Sequence, residues 1–244
     1  MSAAGETAAA TTAAAQARLD HLVVMADTLE QGAAWCQATL GIAPGPGGAH
    51  PLFGTHNRLL SIATQAGPFA QAYLEIIAID PAASAAAGPD GRARRRWFDM
   101  DEAALRAQVR AQGPRLIHWV ARVPDLARAC AALAAQGIER GDILPASRQT
   151  PRGLLQWQIA VRPDGQRLFD GCLPTLIQWG QTHPSDALPD SGLALHSLHL
   201  QHPQAEALRA ALNALGLTGQ LQLSAGPARL SAQLHTPRGL VTVA

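Results

Sequence analysis

The chain has 244 residues, with 19 basic and 18 acidic side chains, a formal net charge of +1 and 48% hydrophobic residues. That length buries a sizeable core as one domain or two small ones, and the near-neutral balance argues against nucleic acid or an anionic membrane as the main partner. Every basic residue is arginine, which excludes Schiff-base chemistry and a Walker-type phosphate loop, since both need a lysine; no apolar run reaches the roughly 18 residues that cross a bilayer.

Residues 1–17 are rich in Ala and Thr, with no arginine and no Leu-rich core. They do not resemble a secretory signal and are expected to form a disordered tail on a cytoplasmic protein. Cys36, Cys130 and Cys172 form no CxxC pair, and are expected to be reduced, buried thiols.

From residue 18 the chain reads as a repeated unit. The first module, residues 18–112, opens with the strand LDHLVV (Leu19 to Val24) and a helix that stops at a glycine. An ill-defined strand near Gly48 to Phe53 follows, then strands over Thr55 to Ile62 and Gln71 to Asp80. The second module, residues 113–187, begins LIHWV (Leu116 to Val120), and its later strands are expected over Gly141 to Arg148, Leu154 to Val161 and Pro174 to Gly180. The third, residues 188–244, repeats the second: Pro203 matches Pro124 at a helix start and Gly216 matches Gly137 at a helix end. The sequence Thr150-Pro151-Arg152-Gly153-Leu154 returns as Thr236-Pro237-Arg238-Gly239-Leu240. Linkers are expected over Ala82 to Arg96 and His183 to Gly192. The unit is β-α-β-β-β, and the fold class is α+β: a mixed sheet curled around a cleft, with helices outside.

Three of these strands set an ionisable residue among large apolar ones: His21, Glu75 and His118. An unpaired charge in a packed strand is costly. Two imidazoles and a carboxylate escape that cost together by binding a divalent metal, and a set with open positions suits Fe(II), Ni(II), Mn(II) or Zn(II). His50, His56 and Asn57 flank a strand of module one and are candidates for lining a substrate pocket. Trp97 and Phe98, after three arginines, are candidates for a lid. Arg148 and Arg152 have the chemistry to hold a substrate carboxylate or phosphate. His196, His199 and His202 invite a metal reading, but a period of two puts the middle one on the opposite face.

With these residues in view, the chain resembles the vicinal oxygen chelate superfamily, which includes glyoxalase I, extradiol dioxygenases and bleomycin-resistance proteins. The resemblance rests on the repeated modules, the "LDH" first strand, "YLEIIAID" and "LIHWV", and it extends to "GGAHPLFGTHNRLL", "RRWFDMD" and "LPTLIQW". It implies a metal held by His21, His118 and Glu75, with Gln178 at the fourth position. A carboxamide there ligates weakly and cannot act as a general base, unlike the glutamate of glyoxalase I. The activity implied is that of a metal-dependent lyase or isomerase: the ion acts as a Lewis acid on a small substrate with vicinal oxygens, and Glu75 serves as the base. Gln178, His56, Asn57, Trp97 and Arg152 are the expected substrate-binding residues. The alternatives are an Fe(II) dioxygenase on the same three ligands and a metal-free binding protein that sequesters small molecules. The third module has Ser197 in place of a ligand and is expected to be structural or to form a homodimer.

Overall fold

The computed structural model describes residues 16–83, 94–150 and 152–244. The first module comprises β1 (Arg18–Met25), α1 (Leu29–Leu40), β2 (Ala49–His50), β3 (Thr55–Ser61) and β4 (Tyr73–Ile79). Helix α1 starts where the Thr28 side chain accepts the Gln31 N–H, and it stops at Gly41, whose φ of 82° suits a residue without a side chain. Helix α2 (Ala103–Gln112) was not expected from the repeat; it leads into β5 (Arg115–Arg122), α3 (Leu126–Ala134), β6 (Asp142–Thr150), β7 (Gly153–Val161) and β8 (Thr175–Trp179). The last segment holds β9 (Ala194–His202), α4 (Ala205–Ala214), β10 (Gln222–Ala225), β11 (Arg229–Thr236) and β12 (Gly239–Val243).

The first eight strands form one sheet in the order β2-β3-β4-β1-β5-β8-β7-β6. Antiparallel pairing of β1 with β5 joins the two modules, with Leu22 opposite Trp119 and Val23 opposite His118. Each flank then repeats the other: β4 runs parallel to β1, and β8 runs parallel to β5. This is an α+β fold with a curled mixed sheet. The last four strands form a second sheet, β10-β9-β11-β12. Its element order matches the other modules, but its pairing does not. Strand β10 returns parallel to β9, and β11 takes β9's other edge. The short β9-α4-β10 crossover closes on its own first strand, so the last two strands have only one edge left to extend.

Strand alternation sorts the apolar residues into two cores. Leu22, Val24, Leu74, Ile76 and Trp119 face the helices and the second sheet, with Leu198 of β9 and Leu208 of α4 in the same core. Val23, Met25, Ile77, Val120 and Ile177 face the concave side, which Trp97, Phe98 and α2's Leu105 and Val109 partly fill. Among the described residues no helix is long and apolar enough to cross a membrane. The three cysteines are free; Cys36 and Cys172 are buried and Cys130 is half-buried. Residues 1–15 and 84–93, which hold most of the expected tail and part of the first expected linker, lie outside the described residues. Ala17, the last residue of the expected tail, is buried, and its carbonyl accepts from Gln220 Nε2 at 2.8 Å, so the packed chain already includes it.

Helix α1 lies close against β4 at Gly32, where a Cβ would meet Ile76 Cγ2 at 2.3 Å. Gly32→Ala gains about 1 kcal/mol of helix propensity. Overpacking against a stiff β-branched side chain costs about 1–3 kcal/mol. The variant is expected to lose about 1 kcal/mol net, read as a lower urea midpoint at unchanged slope. A midpoint at or above the parent's would show that Ile76 has room to yield.

Candidate functional site

The site begins with an irregularity in β1. Adjacent residues in a strand point to opposite faces, yet the β1–β5 register shifts at Asp20. The bulge lets consecutive side chains meet: His21 Nδ1–H donates to Asp20 Oδ1 at 2.6 Å. The other oxygen, Oδ2, accepts from Trp179 Nε1–H and His183 Nε2–H, both at 2.9 Å. His183 is held in that tautomer because its Nδ1 accepts the Ser185 N–H at 3.2 Å. Burial raises the Asp20 carboxyl, but the hydrogen bonds from His183 and His21 outweigh burial and hold it well below the usual carboxylate range.

With Nδ1–H committed to Asp20, the His21 ring turns its Nε2 lone pair towards Glu75, 3.6 Å from Oε2. Tyr73 stacks on the ring with centroids 4.5 Å apart. Glu75 Oε1 accepts from Asn57 Nδ2 at 2.6 Å, and Asn57 Oδ1 accepts the Gly48 N–H at 2.8 Å. Beside them His50 pairs Nδ1 with Thr55 Oγ1 at 3.1 Å and takes a second Asn57 N–H on Nε2 at 3.3 Å. Burial, reinforced by the charge of Arg148, pushes the His50 imidazole down to about 3, so it stays neutral. His21, Tyr73, Glu75, Asn57 and His50 line a narrow cleft with about 30 Å³ of water-accessible space, open to solvent at its mouth. His21, Tyr73 and Glu75 of module one and Arg148, Trp157 and Trp179 of module two all line it.

The structure brings His21, Glu75, Asn57 and Trp97 to this cleft, together with His50, Phe98 and Arg148, and it places His118, Gln178, His56 and Arg152 elsewhere. His118 is fully buried, and both its nitrogens are committed. Nδ1–H donates to the Gly171 carbonyl at 3.1 Å; Nε2 accepts from Thr175 N–H at 3.1 Å and Thr175 Oγ1 at 3.0 Å. Burial and the charges of Arg167 and Arg140 hold its imidazole well below the ordinary histidine value. Phe98, its centroid 5.0 Å from the His118 ring, lines the cleft in its stead. Gln178 lies on the helix face of β8, where its Oε1 caps α3 by accepting Leu126 N–H at 2.8 Å; Ile177 and Trp179 are the cleft-facing neighbours. His56 alternates away from Thr55 and Asn57 and does not line the cleft. Arg152 is exposed and donates to the Asp186 carbonyl at 2.6 Å. His199 pairs with Ser197 and His202 with Asp170, so the three histidines of β9 share no site.

Sequence reasoning passed over Asp20, His183 and the two cleft tryptophans of module two. Asp20 adjoins a singled-out histidine, and a regular strand would point the two side chains apart. His183 sits in a stretch read as a linker.

With this geometry in place, the family model of the Glyoxalase-like domain matches residues 19–216. The chain belongs to that family. This glyoxalase-like protein shares its fold with a Staphylococcus aureus hypothetical protein at 14% identity and a TM-score of 0.53, covering 93% of this chain and 84% of that one. Methylmalonyl-CoA epimerases overlap it less. The one from Streptomyces coelicolor has a TM-score of 0.37 at 15% identity over 68% of this chain and 94% of its own. The one from Mycobacterium tuberculosis has a TM-score of 0.35 at 18% identity over 66% and 86%. No curated protein matches the chain.

Members of this glyoxalase-like superfamily commonly use divalent metals. The donors present here do not make up the expected three-residue set. His21 Nε2 and Glu75 Oε2 face each other, but the third imidazole, His118, is spent on Thr175 and Gly171. Among the described residues no group of three or more His, Cys, Asp and Glu side chains is gathered closely enough to hold a metal ion.

Proposed function

We propose that this glyoxalase-like protein is an enzyme that moves a proton at a carbon next to a carbonyl of a small substrate. The observation that carries the reading is His21. Its ring stands between two carboxylates, with Nδ1–H given to Asp20 and Nε2 bare towards Glu75 and the cleft. That is the arrangement of a general base. Nε2 takes the proton, and the cation formed lies between Asp20 on one side and Glu75 on the other. The Asp20 carboxylate, with three donors on it, holds the ring in place through the step. Tyr73 and the cleft tryptophans keep bulk water off the reacting carbon.

The test is solvent exchange. A panel of α-hydroxy aldehydes, ketones and 2-substituted carboxylic acids is incubated with the protein in D2O, and loss of the α-proton signal is followed by NMR. The reading expects exchange that saturates with substrate in at least one class and that Glu75→Gln slows by about 10²-fold through loss of the second carboxylate. Exchange no faster than buffer across compounds shown to bind would sink it.

The second reading keeps the expected divalent ion on His21 Nε2 and Glu75 Oε2. The carboxylate behind the imidazole favours it, because metal-bound histidines usually donate their other N–H to such a group. With two protein donors such an ion would be largely water-coordinated and weakly held. Metal analysis of protein purified without chelators, compared with Glu75→Gln, decides between the readings. Stoichiometric metal lost in the variant supports the second reading, whereas sub-stoichiometric metal in both, with full exchange activity in the parent, supports the first.

A further inference from the structure

Two donors in the cleft are under-matched among the described residues, one weakly bonded and one without a partner. Arg148 is half-buried and forms no ion pair among the described residues; its one hydrogen bond, to Asn57 Oδ1, is long at 3.5 Å and goes to an oxygen that Gly48 N–H already occupies. Trp97 is 4% exposed, and its Nε1–H is buried without a partner among the described residues. A buried orphan donor costs about 1–3 kcal/mol. The indole is held where it is by stacking with Phe53 at 3.9 Å and with Phe98 at 4.8 Å. Arg148 is held by the backbone it crosses. It reaches from β6 over Gly48, where a Cβ would meet its Nη1 at 2.6 Å and its Cδ at 2.8 Å. That glycine lets the guanidinium of module two lie over module one, next to the Asn57–Glu75–His21 chain.

We infer that Arg148 and the Trp97 Nε1–H form a subsite for the carboxylate of a small carboxylic acid. The inference rests on the reading of this cleft as the substrate site and names the substrate class. The planar guanidinium matches a carboxylate, and a single indole N–H supplies one more donor. Asp20 and Glu75 already place two negative charges beside a single cation. That balance favours a monoanion over a dianionic phosphate. Arg148 and His21 line the same cleft, so a carboxylate seated on Arg148 shares that cleft with Nε2.

The experiment measures binding, so it does not depend on turnover. Pyruvate and glycolate, with their neutral amides as controls, are titrated by saturation-transfer NMR against the parent, Arg148→Gln, Gly48→Ala, Trp97→Phe and His21→Asn proteins. The parent is expected to prefer each acid over its amide by about 10- to 100-fold, the range for a charge-assisted pair. Arg148→Gln should erase that preference while leaving amide binding in place. Gly48→Ala should do the same by displacing the arginine, with an unchanged far-UV spectrum. Trp97→Phe should weaken acid binding several-fold. His21→Asn should keep the preference. If it does while the parent shows no α-proton exchange, the subsite stands and the proton-transfer reading falls. Equal affinity for acid and amide in the parent, no binding of either, or a preference that survives Arg148→Gln would overturn the inference.

Discussion

Replacing His21 with alanine should cost at least about 10²–10⁴-fold in exchange rate, the range for removal of a positioned general base. Asp20→Asn should cost a comparable factor for a different reason. The amide can turn its NH2 towards Nδ1, forcing the His21 proton onto Nε2 and leaving no lone pair at the cleft. The two variants separate chemistry from positioning. His21→Ala should lose activity at every pH. Asp20→Asn should lose kcat with little change in KM, and it should bind the small carboxylates as the parent does, because Arg148 and Trp97 are untouched. The asparagine also keeps the shape of a residue on which His21, Trp179 and His183 converge. Asp20→Ala is the poorer choice, because it leaves three buried donors unmatched at about 1–3 kcal/mol each. Retained exchange in either His21→Ala or Asp20→Asn would assign the base to another group, with Glu75 the next to examine.

Much of this arrangement is legible in the sequence. The repeat, the strand periods and the helix stops at Gly41 and Gly137 follow from local rules, and the "LDH" and "YLEI" strands deliver His21 and Glu75 to one cleft as expected. The limits are equally local. A period of two says which face a residue takes only while the ladder is regular, and the register shift at Asp20 breaks it where the chemistry sits. Equivalent strand position placed His118 beside the other two, but position does not show that Thr175 and Gly171, 57 and 53 residues away, take both its nitrogens. The same limit applies to Gln178. Its parity on β8 follows from the register, and no residue near it in sequence shows that the register aims it at α3's first turn instead of the cleft. The third module shows that a repeated element order does not fix strand pairing, which depends on which edge is free when each strand arrives.

The histidines that the site keeps neutral make the fold sensitive to mild acid. His50 is pushed down to about 3 and His118 well below its ordinary value, each chiefly by burial. In the unfolded chain both rings take up a proton near pH 6.5. Above that pH their contribution to stability is complete. Below it the unfolded state binds more protons than the folded one, and stability falls by about 1.4 kcal/mol per pH unit for each ring until the folded value is reached. The cause is visible in the hydrogen bonds. A proton on His50 Nε2 would face the Asn57 NH2 group, and one on His118 Nε2 would face the Thr175 N–H. Asp20 acts at lower pH. Its depressed carboxyl contributes stability above about pH 4, the unfolded value, and loses it as pH falls towards the folded one. Between pH 6.5 and 4.5 His50 alone should therefore remove about 2–3 kcal/mol, and His118 deepens the fall. Urea midpoints taken between pH 7.5 and 4.5 should fall steeply below 6.5. His50→Gln should show a slope shallower by about 1.4 kcal/mol per pH unit, because glutamine has no proton to refuse. A flat midpoint from pH 7.5 to 5 would mean that both rings are protonated inside the fold, and the neutral network around Glu75 and Thr175 would have to be redrawn.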